Sequence, residues 1–587
     1  MLQFLKYTLA TVVGLILFFF IMVMVLAGIV ASAASDDEVS VAKNSVLELS
    51  LDKPISERGS NDPFEELNIP MGGISGSYGL DDIKASIRHA KTDENIRGIY
   101  LNIEILTAGM ASLEEIRNEL LDFKKSGKFI VAYNDICSEK AYYLTSAADK
   151  QYLNPLGAIE FNGLSSEVEF YKGTLDKLDI KPYIFRVGTY KSAVEPFILE
   201  KMSEPNRAQT ASFLNSLNNF SLQNIARSKG KSFEDMKNIS NQMLVHTPED
   251  ALKYGLVTNL GYFDEALSFM KKKMGLKEDD KIYLVALKKY KNVAAQADEE
   301  SSRNRIAVIY AAGEIVNGEG SSDNIGGTKF ADEIRRARKD KNVKAIVLRI
   351  NSPGGSAMAS DVIWREVILA KKVKPVIASM SDVAASGGYY IAMACDTIVA
   401  HPNTITGSIG VFGMFANLEH FLKNKLGITV DRVNTGQYSD MPTLTRDLTD
   451  VEKQVIQQSV ERIYADFTTK AAQGRSMPVE QLREVASGRV WSGAEAKERG
   501  LVDVFGDLDD AVKIAATRAG LKDEYRLKHL PVQKTFFSEL MSGMETRISH
   551  HFLQAEMGEL YPHYENLKKI KQMEGIQARL PYNLDIQ

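Results

Sequence analysis

One long pattern in this chain is written twice. Asp93-x-Asn95-Ile-Arg-Gly-Ile-Tyr-Leu101-Asn-Ile103 returns as Asp340-x-Asn342-Val-Lys-Ala-Ile-Val-Leu348-Arg-Ile350, 247 positions later. The same offset pairs Asp135 with Asp382, Tyr142-Tyr143 with Tyr389-Tyr390, Asp149 with Asp396, Pro155 with Pro402 and Gly163 with Gly410. Further on, Asp250-Ala-Leu-Lys-Tyr-Gly-Leu-Val257 answers Glu495-Ala-Lys-Glu-Arg-Gly-Leu-Val502. A period this long is a whole domain, not a solenoid unit. Each copy alternates short apolar runs with amphipathic stretches, the pattern of an α/β domain. Two related α/β domains therefore follow one another, residues 44–287 and 304–525, and the charged, Ala/Ser/Gln-containing stretch Lys288–Arg303 reads as their linker. Each copy also holds a long helix late in its span. Asn206–Ala226 is the first, and Thr449-Asp-Val-Glu452 opens the second as a capping box, with Ile456, Val460, Ile463 and Phe467 at helical spacing.

Chemistry is concentrated in the second copy. The apolar run Pro375–Met380 reads as a buried strand and Tyr389–Cys395 as a buried helix, with Ser386-Gly387-Gly388 between them. A serine at that junction holds its hydroxyl at a helix N-terminus, where negative charge is favoured, although a plain N-cap serine has the same setting. Upstream, the strand Lys344–Asn351 runs into Ser352-Pro353-Gly354-Gly355-Ser356. Paired glycines at a strand end leave backbone N–H groups unobstructed, as stabilisation of an oxyanion requires.

Strand, Gly-Gly turn, helix, strand, serine at a helix start is the order of the Clp protease and crotonase superfamily. The chain resembles its membrane branch, the signal peptide peptidases of family S49, over roughly residues 40–525. The residues that carry the resemblance are Asn351-Ser-Pro-Gly-Gly355, Ala385-Ser-Gly-Gly388, Thr406-Gly-Ser-Ile-Gly410 and Tyr190-Lys-Ser-Ala-Val-Glu-Pro196. It implies tandem Clp/crotonase-like domains and a serine endopeptidase with a Ser386/Lys191 dyad. Backbone N–H groups near Gly354, Gly355 and Gly387 would form the oxyanion hole. It implies cleaved signal peptides and other apolar peptides as substrates, and a ring-like homo-oligomer. It also implies that Ser408 holds the lysine amine, where the residues alone allow a turn serine between glycines.

The repeat bears on the lysine independently. At the offset of 247, Ser386 falls on Glu139, Gly354-Gly355 on Thr107-Ala108 and Gly387-Gly388 on Lys140-Ala141. Conversely, Phe185-Arg-Val-Gly-Thr-Tyr-Lys-Ser matches Asp431-Arg-Val-Asn-Thr-Gly-Gln-Tyr-Ser, so Gln437 and Tyr438 stand where the second copy would need a lysine. Each copy has lost what the other kept, as expected if one composite site replaced two. A lysine base needs burial and distance from carboxylates, and Lys191 has a mostly uncharged setting, with Glu195 the exception. The rival is a Ser-His-Asp triad, for which His401 is the histidine at issue.

The net charge of −5 argues against a nucleic-acid partner, and no Lys/Arg block suggests one. Two cysteines, Cys137 and Cys395, form neither a disulfide framework nor a metal site. There is no HExxH and no P-loop, so no metal, nucleotide or other cofactor is implied. Tyr7–Ser35 is uncharged and apolar, longer than the about 20 residues that span a bilayer, and reads as a single transmembrane anchor. Ala31-Ser-Ala33 keeps open a cleaved signal peptide. Lys6 before the run, with Asp36, Asp37 and Glu38 after it, places the N-terminus in the cytoplasm and the body outside. With the resemblance, that means the outer face of a bacterial inner membrane. The tail, residues 527–587, matches neither copy and carries no assignable chemistry. Two other classes share the fold: a crotonase-like acyl-CoA enzyme, disfavoured because CoA is cytoplasmic, and a non-catalytic membrane scaffold, which has no reason to keep Ser386 and Lys191.

Overall fold

The computed structural model describes residues 2–33, 41–59, 76–297, 302–321, 323–522, 524–533 and 575–580. In each copy of the repeat a sheet is covered on both faces, parallel throughout in the first and parallel but for the antiparallel edge strand Val490–Ser492 in the second. The first sheet runs, edge to edge, Asn259–Leu260, Lys150–Ile159, Phe129–Cys137, Ile96–Leu101, Ser45–Leu49 and Tyr283–Ala286. The second runs Val490–Ser492, Ile405–Gly407, Val376–Ala385, Val343–Ser352, Arg305–Ala312 and Arg526–Leu530, with Thr397–Ala400 and Val504–Phe505 branching from Val376–Ala385. Parallel strands buried on both faces read as unbroken apolar runs, and so Val343–Ser352 buries all but two of its residues. Gly327–Lys339 and Ala357–Lys371 pack on one face of that sheet and Leu508–Arg518 on the other.

The late helices form as expected. Asp450–Gly474 starts at a Thr449/Glu452 capping box and buries Ile456, Val460 and Phe467. Its counterpart is Glu204–Lys229. The expected linker does differ. Leu287–Ala297 is a helix packed on Leu80–Thr92, with Tyr290 buried and its hydroxyl donating to Asp93 at 2.9 Å. The apolar Tyr290, Leu287 and Ala294 lie at helical spacing, which the surrounding charges obscured.

A third sheet joins the halves. Its order is Asn324–Gly326, Glu314–Val316, Gly354–Ser356, Gly575–Arg579, Val411–Asn417 and Lys181–Val187. Lys181–Val187 belongs to the first copy, yet pairs antiparallel along its whole length with Val411–Asn417 of the second, Val187 opposite Val411. Charge also binds the halves. Arg349, 1% exposed, donates from Nε to Glu57 (2.6 Å) and from one terminal nitrogen to Glu115 (2.7 Å). Lys84 reaches Glu115 at 2.5 Å and Asp507 at 3.0 Å. Burial alone would raise the Glu115 carboxyl, but Arg349 and Lys84 outweigh it and hold it well below the usual carboxylate range. Such a cluster specifies one docking geometry more than it stabilises it, because breaking any single pair strands a buried charge. Asp382 adds a cap: its carboxylate accepts from the Ser112 N–H (2.9 Å) and hydroxyl (2.6 Å), at the start of Met110–Lys124.

At the N-terminus a helix runs Leu2–Ala33, and those of its side chains that are described, including Phe4, Leu15, Ile16, Phe18 and Phe19, are exposed. Among the described residues no helix is long and apolar enough to cross a membrane. Several side chains of Leu2–Ala33, and Asp36, Asp37 and Glu38, lie outside the described residues. Of the tail, Gly575–Arg579 is a strand between Gly354–Ser356 and Val411–Asn417.

Candidate active site

Ser386 stands where the strand Val376–Ala385 turns into the helix Gly387–Ala392. The turn is tight enough to force the serine to φ 54°, ψ −109°, a conformation that L-residues avoid and that surrounding contacts must hold. Its N–H donates to the Gly407 carbonyl (2.9 Å), and its own carbonyl accepts from the Tyr390 N–H (2.8 Å). The next two residues have no room for a side chain: a Cβ on Gly387 would lie 2.7 Å from Ser360 Oγ, and one on Gly388 2.7 Å from the Ser352 carbonyl.

The Gly354-Gly355 turn lies against this junction. Gly354 has φ 96° and Gly355 φ 153°, and a Cβ on Gly354 would fall 2.7 Å from the Gly387 nitrogen. The Gly354 N–H donates to Ser352 Oγ at 3.2 Å. Of the three glycines, Gly354 therefore offers closeness of approach, with its own N–H already occupied.

Lys191 arrives from the other half. The strand pairing that carries Lys181–Val187 onto Val411–Asn417 ends beside Gly410, and the chain then turns Lys191 inward. Its Nζ lies 2.9 Å from Ser386 Oγ, 3.0 Å from Ser408 Oγ and 3.3 Å from the Ser408 carbonyl. Both Lys191 and Ser386 have zero exposure. Burial drives the Lys191 amine well below the ordinary lysine range, and no carboxylate opposes the shift. A neutral amine has two N–H groups and one lone pair. The two oxygens of Ser408 can take the first, leaving the lone pair for the Ser386 hydroxyl. Glu195, the acid nearest in sequence, is engaged elsewhere: it accepts from Ser203 Oγ (2.5 Å), the Ser203 N–H (3.2 Å) and Asn206 (3.0 Å).

Ser408 also has positive φ, 50°, and its N–H donates to the Arg489 carbonyl at 2.7 Å. His401 is buried with its Nε2 3.2 Å from Glu115 Oε1, so it belongs to the charge cluster between the halves and gives no support to a triad. Two features had no signal in the sequence. The Gly410 carbonyl oxygen lies 3.4 Å from Ser386 Oγ. The turn Ser487-Gly488 presses on the lysine so closely that a Cβ on Gly488 would sit 2.7 Å from Lys191 Cβ. In the first copy, Glu139 stands at the serine position and its carboxylate caps the Asn162 and Gly163 N–H groups at 3.0 and 2.8 Å. Burial raises its pKa, and those two bonds lower it. Cys137 and Cys395 are buried free thiols, both pushed upward by burial.

A buried serine hydroxyl within 2.9 Å of a buried lysine amine is the arrangement this candidate site presents. Comparison with known proteins supplies the class. The family model of peptidase family S49 matches residues 122–277 and again 368–522, one match in each copy. The chain is 37% identical over 516 residues to the chloroplastic serine protease SPPA of Arabidopsis thaliana, covering 86% of this chain and 74% of that one. It is 38% identical over 474 residues to Protease 4 of Salmonella typhi, with 79% and 76% covered. Against Protease 4 of Haemophilus influenzae the figures are 35% over 482 residues, 80% and 77%. Among solved structures, a membrane-bound stomatin-specific protease aligns over 39% of this chain and 99% of its own, at 18% identity and a TM-score of 0.26. The chain belongs to peptidase family S49. It is a serine peptidase with two tandem S49 repeats.

Proposed function

We propose that Ser386 is the nucleophile and Lys191 its general base in an endopeptidase that cuts extended apolar peptides, cleaved signal peptides among them, at a membrane surface. The observation that carries this reading is the 2.9 Å approach of a fully buried Lys191 amine to Ser386 Oγ. Ser386 Oγ attacks the peptide carbonyl carbon as its proton passes to Lys191 Nζ. The N–H groups of Gly355 and Gly387 stabilise the oxyanion, with Gly354 admitting the chain closely enough. As the C–N bond breaks, Lys191 returns the proton to the leaving amine. A water then enters by the same route and attacks the acyl carbon, losing a proton to Lys191, which passes it to Ser386 Oγ as the ester bond breaks and the acid leaves. Every proton is handled by one amine, and no cofactor enters the scheme.

In this reading the two repeats are Clp/crotonase-like domains, about residues 44–287 and 304–525, the first supplying the base and the second the nucleophile and the oxyanion turn. Such domains commonly assemble into homo-oligomers, and we extend that to this chain. Ser408 acts as a positioning residue. Ser408→Ala removes one of the three oxygens around the amine and leaves the Ser408 carbonyl, and the expected result is a kcat about tenfold to a hundredfold lower with KM little changed. The acid limb of the pH–rate profile should move as well. Rate and profile both unchanged would return Ser408 to the part of a turn residue.

The helix Leu2–Ala33, with Lys6 at its start, is proposed as an uncleaved anchor that leaves the body on the extracytoplasmic side. Membrane fractions should then hold the full-length chain, with a body digestible by protease added from the outer face. A soluble chain beginning near Ala34 would show that the segment is a signal peptide instead.

A further inference from the structure

Ser386 and Lys191 are both sealed from solvent, so no peptide can reach the nucleophile in this arrangement. The edge that a substrate would need is occupied by the chain itself. Gly575–Arg579 lies between Gly354–Ser356 and Val411–Asn417, antiparallel to both. On one side Gly354, Gly355 and Ser356 stand opposite Arg579, Ala578 and Gln577; on the other, Phe412 faces Gln577 and Met414 faces Gly575. The Ala578 carbonyl oxygen sits among the oxyanion glycines: a Cβ on Gly354 would be 2.2 Å from it, and one on Gly387 3.1 Å. That is where the carbonyl of a scissile bond would have to lie. One step on, the Leu580 N–H donates to the Pro353 carbonyl at 2.8 Å.

The side chains are seated too. Ala578 is wholly buried, and small. Leu580, 2% exposed, packs with Phe213 and Leu217 of the first copy and with Ala385, Ile405 and Val490 of the second. Arg579, on the opposite face of the strand, pairs with Glu314 at 2.7 Å. An extended peptide bonded along both edges, with alternate side chains in pockets, is how proteases and other strand-adding sites take a polypeptide.

We infer that residues 575–580 are a built-in occupant of the substrate groove. This pseudosubstrate strand must leave before a peptide is cut, and its pattern states the groove's preference: small at the Ala578 place, basic at Arg579, aliphatic at Leu580. The inference rests on the reading of Ser386 as nucleophile and deepens it by naming the peptide class. A bound fraction above nine-tenths lowers the apparent affinity for any competing chain about tenfold.

The test uses three full-length or near full-length proteins: the unaltered chain, a chain ending at residue 574, and the chain with Ala578→Phe, which keeps the tail but overfills its seat. The rate of fluorophosphonate labelling at Ser386, and kcat/KM for a fluorogenic peptide, should rise about tenfold in both altered proteins, mainly through a lower KM. The hexapeptide Gly-Ile-Gln-Ala-Arg-Leu added to the truncated protein should compete and restore the slow rate. The same peptide with Phe in place of Ala should compete about tenfold less well. If instead the tail is an ordinary structural strand, both altered proteins will label no faster, and the hexapeptide will not compete. The two results together overturn the proposal. A truncated protein that binds the hexapeptide by fluorescence anisotropy yet is never labelled at Ser386 keeps the groove assignment and removes the nucleophile assignment, so the two failures are separable.

Discussion

Alanine at Ser386, or alanine at Lys191, will each lower kcat for peptide hydrolysis by about 10⁶-fold while cooperative thermal unfolding is retained. In the proposed dyad nucleophile and base act as one unit, so removing either should cost nearly as much as removing both. The fold does not depend on them: the strands that deliver them are held by the sheets and by the charge cluster around Arg349 and Glu115. Because Lys191 of a chain reaches Ser386 of the same chain, an equimolar mixture of the two inactive variants should recover nothing. His401→Ala, which alters the cluster and not the serine, should retain most turnover. Loss of turnover in a folded His401→Ala protein would revive the triad.

The pH dependence carries the second large effect. Lys191 must be neutral to accept a proton, and burial lowers its pKa well below the ordinary lysine value. The rate kcat/KM should therefore climb about tenfold per pH unit on the acid side of that lowered pKa and level off above it. Stability follows with a definite sign. The folded pKa lies below the unfolded value of about 10.4, so between the two the unfolded chain binds more protons. Stability rises with pH across that window, and below it the cost of burying the lysine is present in full. Lys191→Met, inactive but without that cost, should raise the thermal midpoint at pH 7, and the gain should shrink as pH rises through the window. An unchanged midpoint at pH 7 would mean that the amine is not desolvated.

Much of this was legible in the sequence because a duplicated chain records its own losses. Glu139 against Ser386, and Gln437 against Lys191, told which copy kept which group, and the structure brings the two survivors to 2.9 Å. Periodicity gave the strands and helices but not their partners. Nothing local shows that Lys181–Val187 leaves its own copy to pair with Val411–Asn417, since strand pairing is a long-range choice between similar apolar edges. The charge cluster was hidden for the same reason: Glu57, Lys84, Glu115 and Arg349 are unremarkable in sequence and meet only in the docked halves. Lys288–Arg303 read as linker because its charges masked the apolar spacing of Leu287, Tyr290 and Ala294. Gly575–Arg579, five residues in a long tail, is too short a run to signal a strand without the edges that receive it.

One measurement bears on the composite site most directly: the rate at which a fluorophosphonate labels Ser386, mapped by peptide, in the unaltered protein, Lys191→Ala and His401→Ala. Only a serine whose proton can be taken reacts. The pairing of a first-copy lysine with a second-copy serine predicts labelling in the unaltered and His401→Ala proteins and almost none in Lys191→Ala. Labelling of Lys191→Ala at the unaltered rate, or its loss in a folded His401→Ala protein, would contradict it.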